Sequence, residues 1–106
     1  MENKNVKKMR RRIVKNFLDQ IFLSELKKTE PLSAYALMNQ VHRKFGFLIS
    51  AGTVYALLYS MERKELVKGE ATENKRIYRL TEKGKDTIEV ILDSKEEIIQ
   101  FLRTVF

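Results

Sequence analysis

The chain has 106 residues, a net charge of +7, 43% hydrophobic residues and 33% charged ones, which suits one domain with one packed core. No run approaches the roughly 18 apolar residues of a membrane helix, and no apolar leader with a small-residue cleavage site follows the basic start, so no membrane is expected and the cytoplasm is the expected compartment. With no cysteine, disulfides and thiolate metal sites are excluded.

Val6, Met9, Ile13, Phe17, Ile21 and Leu26 recur at three- and four-residue steps and predict an amphipathic helix from about residue 6 to 28. Pro31, the one proline, separates it from a second helix that Ser33 caps and that buries Ala34, Met38, Val41 and Phe45, with Leu37 beside them. Gly46 stops that helix as a left-handed cap. Ser50 caps a third helix with a stripe of Val54, Leu57, Leu58 and Met61, ending at Lys64 and Glu65. The period then turns extended: "LVKGEA" and "KRIYRLT" predict a hairpin around the turn Thr72, Glu73, Asn74 and Lys75. Thr81 caps a last helix in which Ile88, Leu92, Ile99, Leu102 and Phe106 form a near-heptad seam of about 20 residues, interrupted near Lys95.

The expected fold is mainly α with a small β-hairpin: a winged helix-turn-helix with a long C-terminal dimerisation helix. It forms a single domain over residues 1–106, with a DNA-binding core over about 6–80 and the dimerisation helix over about 81–106. In this arrangement the third helix is presented to DNA. Its leading turn, Ser50, Ala51, Gly52 and Thr53, is slim enough for a major groove, and Ser50 and Thr53 offer hydroxyls for base edges or phosphates. Gly52 lets the backbone come close, although such a turn also serves as an ordinary cap. Tyr55 is expected to contact DNA, whereas Tyr59 is expected to pack against protein. Asn74, Lys75 and Arg76 are placed at the hairpin tip, where a wing reaches the minor groove or its backbone and where a plain solvated turn would look the same. Lys68 and Arg79 are weaker phosphate contacts.

Charge is uneven. Lys4, Lys7, Lys8, Arg10, Arg11, Arg12 and Lys15 stand against one acid, Glu2, in the first 15 residues. From Glu82 onward six acids face four bases. This suits a polyanion partner and equally a solubilising surface. The basic segment reads as a disordered arm, as a helix face near phosphates, or as plain solubility. Arg10, Arg11 and Arg12 cannot share one helical face.

At these residues the sequence resembles the PadR-type winged-helix transcriptional regulators, through "PLSAYALMNQV", "GTVYALLYSMERKELV" and "RIYRLTEKG", over roughly residues 31–84. The resemblance implies a homodimeric regulator, usually a repressor, on a pseudo-palindromic double-stranded DNA operator. It also implies that the last helix packs with the partner's first helix, which brings Phe17 and Ile21 to the seam, and that the tyrosine at Tyr55 has a DNA role. A small apolar effector near the dimer interface is expected by analogy with the family. The chain departs from the family pattern at Ser33-Ala34, where His-Gly is usual, at Ala56, where proline often stands, and at Glu65, where glycine is usual.

Dimerisation also follows from the seam itself, because so long an apolar stripe on a small monomer leaves too much greasy surface exposed. The alternative function is a winged-helix protein–protein interaction module of a transcription or chromatin assembly. Catalysis is not expected: His42, the one histidine, has no cysteine to pair with, and no phosphate loop or metal spacing is present. No cofactor is expected.

Overall fold

A computed structural model describes residues 3–106, so Glu2 lies outside the described residues. Six helices and a small sheet follow the order α1 Lys4–Asn16, α2 Leu18–Lys28, β1 Leu32–Ser33, α3 Ala34–Phe45, α4 Ala51–Arg63, β2 Val67–Ala71, β3 Arg76–Leu80, α5 Glu82–Asp93 and α6 Lys95–Val105.

The first predicted helix is two. Phe17 (φ −112°, ψ 22°) ends α1 and begins α2, yet its N–H still donates to Ile13 O and its carbonyl accepts from Ile21 N. Neither proline nor glycine marks the bend, and the apolar spacing continues across it, so periodicity alone predicts one rod. Burial distinguishes the halves: α1 buries only Val14, whereas α2 buries Leu18, Phe22, Leu23 and Leu26. The basic segment is thus an exposed helix face rather than a loose arm.

The hairpin also has a third strand. β1 pairs antiparallel with β3, Leu32 opposite Tyr78 and Ser33 opposite Ile77, giving the order β1-β3-β2. Two residues are too few to show a period of two, and this strand was not predicted. Pro31 favours extended backbone just before it. Ser33 then caps α3, its Oγ accepting from Ala36 N at 3.1 Å, and Gly46 closes α3 at φ 81°, both as expected.

α4 ends in a Schellman arrangement: Glu65 N–H donates to Glu62 O and Leu66 N–H to Met61 O, each at 2.9 Å. Glu65 sits at φ 61°, the conformation in which glycine carries no Cβ penalty. The departure noted at Glu65 therefore falls on the one non-glycine residue with positive φ among the described residues. The next element is pinned beside it. Thr81 Oγ1 donates to the Glu65 carbonyl and accepts from Gly84 N at 3.0 Å, and any Cβ at Gly84 would collide with the Leu66 carbonyl oxygen.

The core gathers Phe22, Leu23, Leu26, Leu37, Val54, Leu58 and Met61 from the helices with Val67, Tyr78 and Leu80 from the sheet. Ile88, at 1% exposure, belongs to this core, and this corrects its assignment to a dimer seam. Leu92 and Ile21 are half-buried against the same core, while Phe17, Ile99 and Leu102 are exposed. The last helix breaks at Ser94, so the near-heptad stripe serves two surfaces: α5 turns its share onto α2, and α6 leaves its share free. Apolar spacing identifies a stripe but not what covers it.

Glu65→Gly removes a Cβ from a left-handed position and should raise folding stability by up to about 1 kcal/mol, the relief being partly offset by the entropy of an unfolded glycine. Chemical denaturation of the two proteins checks this.

Candidate nucleic-acid interface

Val54 and Leu58 at 0% exposure and Met61 at 1% fix the rotation of α4 on the core. The opposite side is therefore outward. Ser50, Gly52, Thr53 and Tyr55 are all exposed, as a groove-entering turn requires. Ser50 Oγ accepts from Thr53 N at 3.2 Å and its hydroxyl donates to Thr53 Oγ1 at 2.9 Å, so the two hydroxyls are held as a pair at the helix start. A Cβ built on Gly52 meets nothing within 4 Å, so no internal contact demands glycine there.

Tyr59, expected to pack against protein, is 65% exposed. One position past Leu58 turns a side chain about 100° from the buried stripe, and the Arg63 guanidinium instead lies 5.7 Å from its ring centroid. Tyr55, one position past Val54, faces the same way.

The basic helix reaches this surface at particular points. Lys15 lines a depression of about 380 Å³ together with Leu18, Leu48, Ile49, Ser50 and Thr53. Arg11 stacks over Phe47 at 5.0 Å, tying α1 to the connection that leads into α4. No sequence signal separated Lys15 and Arg11 from the other cations of the cluster. Tyr35, in the first turn of α3 and 71% exposed, is another surface aromatic that the sequence reading did not single out.

At the hairpin, Thr72 N and Thr72 Oγ1 both donate to Lys75 O, at 2.7 and 2.8 Å, closing the turn at the predicted residues. Asn74 and Lys75 are exposed at the tip. Arg76 is not at the tip. It is the first residue of β3, and its Nη2 and Nε donate to Glu62 of α4 at 2.9 and 3.3 Å. Strand alternation puts Arg76, Tyr78 and Gly69 on the face toward α4, and Lys68 opposite Arg79 on the other face, away from the third helix.

Between α4 and the sheet this leaves an open cleft of about 820 Å³, lined by Tyr55, Ala56, Tyr59, Glu62, Arg63, Arg76 and Tyr78. The hydrogen bonds of Arg76 to Glu62, then the Glu62 charge, raise the Arg76 pKa above its ordinary value. Burial, then the Glu62 charge, pushes the Tyr78 phenol up. Among the described residues no cluster of His, Asp or Glu is arranged to hold a metal ion, and no helix is long and apolar enough to cross a membrane.

The family model for the PadR-like transcriptional regulators matches residues 22–90, which contain α3, α4 and the whole hairpin. The chain belongs to the PadR-like family of transcriptional regulators. That is a family of regulators, not of enzymes. None of the curated proteins matches it. Among solved structures, a PadR family transcription regulator from Clostridium difficile is 29% identical, with 84% of this chain and 93% of that one covered and a TM-score of 0.67. A PadR-like regulator from Bacillus cereus is 23% identical over 89% and 95%, with a TM-score of 0.72. Bacillus subtilis PadR, solved in complex with operator DNA, is 22% identical over 71% of this chain and 46% of that one, with a TM-score of 0.64. These likenesses agree with the winged helix described above.

Gly52→Ala should leave the fold intact and raise the melting temperature, since alanine is favoured over glycine in a helix by about 0.5–1 kcal/mol and the space around the position is open. A lower melting temperature would mean that the leading turn of α4 is packed against something.

Proposed function

We propose that this regulator binds double-stranded DNA as a homodimer on a pseudo-palindromic operator and represses transcription in the cytoplasm. In this reading the α4 leading turn lies in the major groove and the hairpin beside it. The observation that carries the reading is the exposure of Ser50, Gly52, Thr53 and Tyr55 directly above the fully buried Val54 and Leu58. Lys15 beside Ser50 and Thr53 adds a cation where a helix N-terminus already favours a phosphate. Asn74 and Lys75 supply the wing contacts. That the B. subtilis relative was solved in complex with operator DNA supports the DNA partner.

In this reading residues 6–80 engage DNA, and residues 81–106 carry the dimer, mainly through α6, which packs with α1. An exposed apolar groove of about 620 Å³ runs between them, lined among others by Ile13, Phe17, Ile21, Ile98 and Leu102. Ile99 at 42% and Phe101 at 65% exposure extend the apolar surface. A second copy that covers this surface removes it from water and sets two α4 helices about one DNA turn apart. The same groove is where a small apolar effector would bind.

Tyr55→Ala should weaken binding to a genomic fragment selected by the wild-type protein by about tenfold, of the order of 1–2 kcal/mol, while sedimentation still shows the wild-type mass. Unchanged affinity would remove Tyr55 from the interface. Leu102→Glu, at an exposed α6 position, should give folded monomers by sedimentation. The half-buried Leu92 is the poorer probe, because a charge there also disturbs the subunit's own core. Binding of the dimer to duplex DNA should fall steeply with salt, the log–log slope changing by about 0.9 for each phosphate neutralised. Absence of duplex binding at low salt would favour a protein-contact role.

A further inference from the structure

Six of the seven side chains lining the cleft between α4 and β3 are tyrosine, arginine or alanine, and the seventh is Glu62. A carboxylate is an odd choice for a surface meant for DNA, since an unpaired anion there repels phosphates. Glu62 is not unpaired. It holds Arg76 through two nitrogens, at 2.9 and 3.3 Å, in the forked geometry that fixes a guanidinium in one plane.

A second observation shows that space is reserved for this pair. A Cβ at Gly69 would lie 2.5 Å from Arg76 Nε, 2.7 Å from Arg76 Nη2 and 2.7 Å from Glu62 Oε1. Gly69 stands mid-strand in β2, opposite Tyr78, where a β-branched residue would serve the sheet better and where glycine often marks close approach by another group. Here the approaching group is the ion pair itself.

A helix in a major groove and a hairpin in the adjacent minor groove straddle one sugar–phosphate strand, because a single backbone separates neighbouring grooves. If α4 and the hairpin dock as proposed above, on which this step rests, that strand crosses the mouth of the Tyr55–Tyr78 cleft. We propose that the cleft is a seat for a backbone phosphodiester and that Glu62 is its positioning residue, holding the Arg76 guanidinium edge-on to the phosphate. Arg63, braced on the Tyr59 ring, supplies the second cation. The wing contact is then made by the first residue of β3, beside the turn, as well as by the turn itself.

The sign of one substitution decides the matter. Removing a negative charge from a DNA-facing cleft strengthens binding if charge alone counts, and weakens it if Glu62 positions Arg76. Fluorescence anisotropy with a duplex fragment selected by the wild-type protein, over a salt series, should show Glu62→Gln weakening binding by about tenfold and making the log–log salt slope shallower by roughly 0.9 per subunit. Arg76→Lys, which keeps the charge but loses the fork, should lose a similar factor, and the double variant should be no weaker than either alone. Gly69→Ala keeps both charges and displaces the pair, so it should reproduce the loss if Glu62→Gln folds poorly. Tighter binding by Glu62→Gln, or a lower melting temperature with affinity and slope unchanged, would overturn the inference while leaving the DNA reading intact. Failure of the wild-type protein to bind any duplex would remove both.

Discussion

Everything that faces outward on this molecule depends on how α4 is rotated about its own axis. Val54, Leu58 and Met61 stand at positions i, i+4 and i+7 and are sealed against α2, α3 and the sheet. Each fully buried aliphatic side chain contributes roughly 1.5–3 kcal/mol of burial, so a rotation of even one residue would expose most of that and bury Tyr55 or Tyr59 in its place. Packing alone therefore aims Ser50, Thr53 and Tyr55 at the solvent. No polar interaction with the rest of the fold is needed to present them, since, among the described residues, the Ser50 and Thr53 side chains bond only to each other's residue at the helix start.

The wing is oriented by a different set of constraints. β3 is held on both edges, by β1 and by β2, and Leu80 N donates to the Glu30 carboxylate at 2.9 Å beyond the last β1 pair. At the same end of the hairpin, Thr81 and Gly84 fasten the start of α5 against Leu66. The strands consequently leave the core at a fixed angle, and the Glu62–Arg76 pair joins their turn-proximal end to α4. A two-stranded hairpin unsupported by a third strand or a helix is marginal in water, so these ties are what make the tip a usable contact rather than a frayed end.

Much of this was legible in the sequence because caps and periods are local. Ser33, Ser50 and Thr81 each accept from the amide three residues on, and Gly46 adopts the left-handed cap, as their types and positions predicted. The hairpin turn also fell on the expected residues. What escaped was non-local or lacked a local mark. The bends at Phe17 and Ser94 interrupt neither the apolar spacing nor the composition. β1 is recognisable only from its pairing with Tyr78 and Ile77. Ile88 and Ile99 look alike in a heptad, and only the packing of α5 on α2 separates a core residue from an exposed one. Glu62 and Gly69 carried no signal in one dimension, since each acquires meaning from Arg76 on another strand.

The two ends of the chain divide the remaining work by chemistry. α1 carries all seven first-segment cations on a helix that buries one residue, and α6 carries apolar side chains, two acids and two bases with none buried. α1 adds only Val14 to the core and α6 adds nothing. Apolar groups without cover cost solubility, and like charges crowded on one helix face cost stability. A second subunit would cover the first, and a polyanion would offset the second. The molecule thus has two unfilled surfaces of opposite character, joined at α1, whose Ile13 lines the apolar groove while Lys15, two residues on, lies beside Ser50 and Thr53. In the dimer proposed above, a shift in packing at Ile13 would reach the α4 leading turn through a single turn of helix, a short route from the groove to DNA.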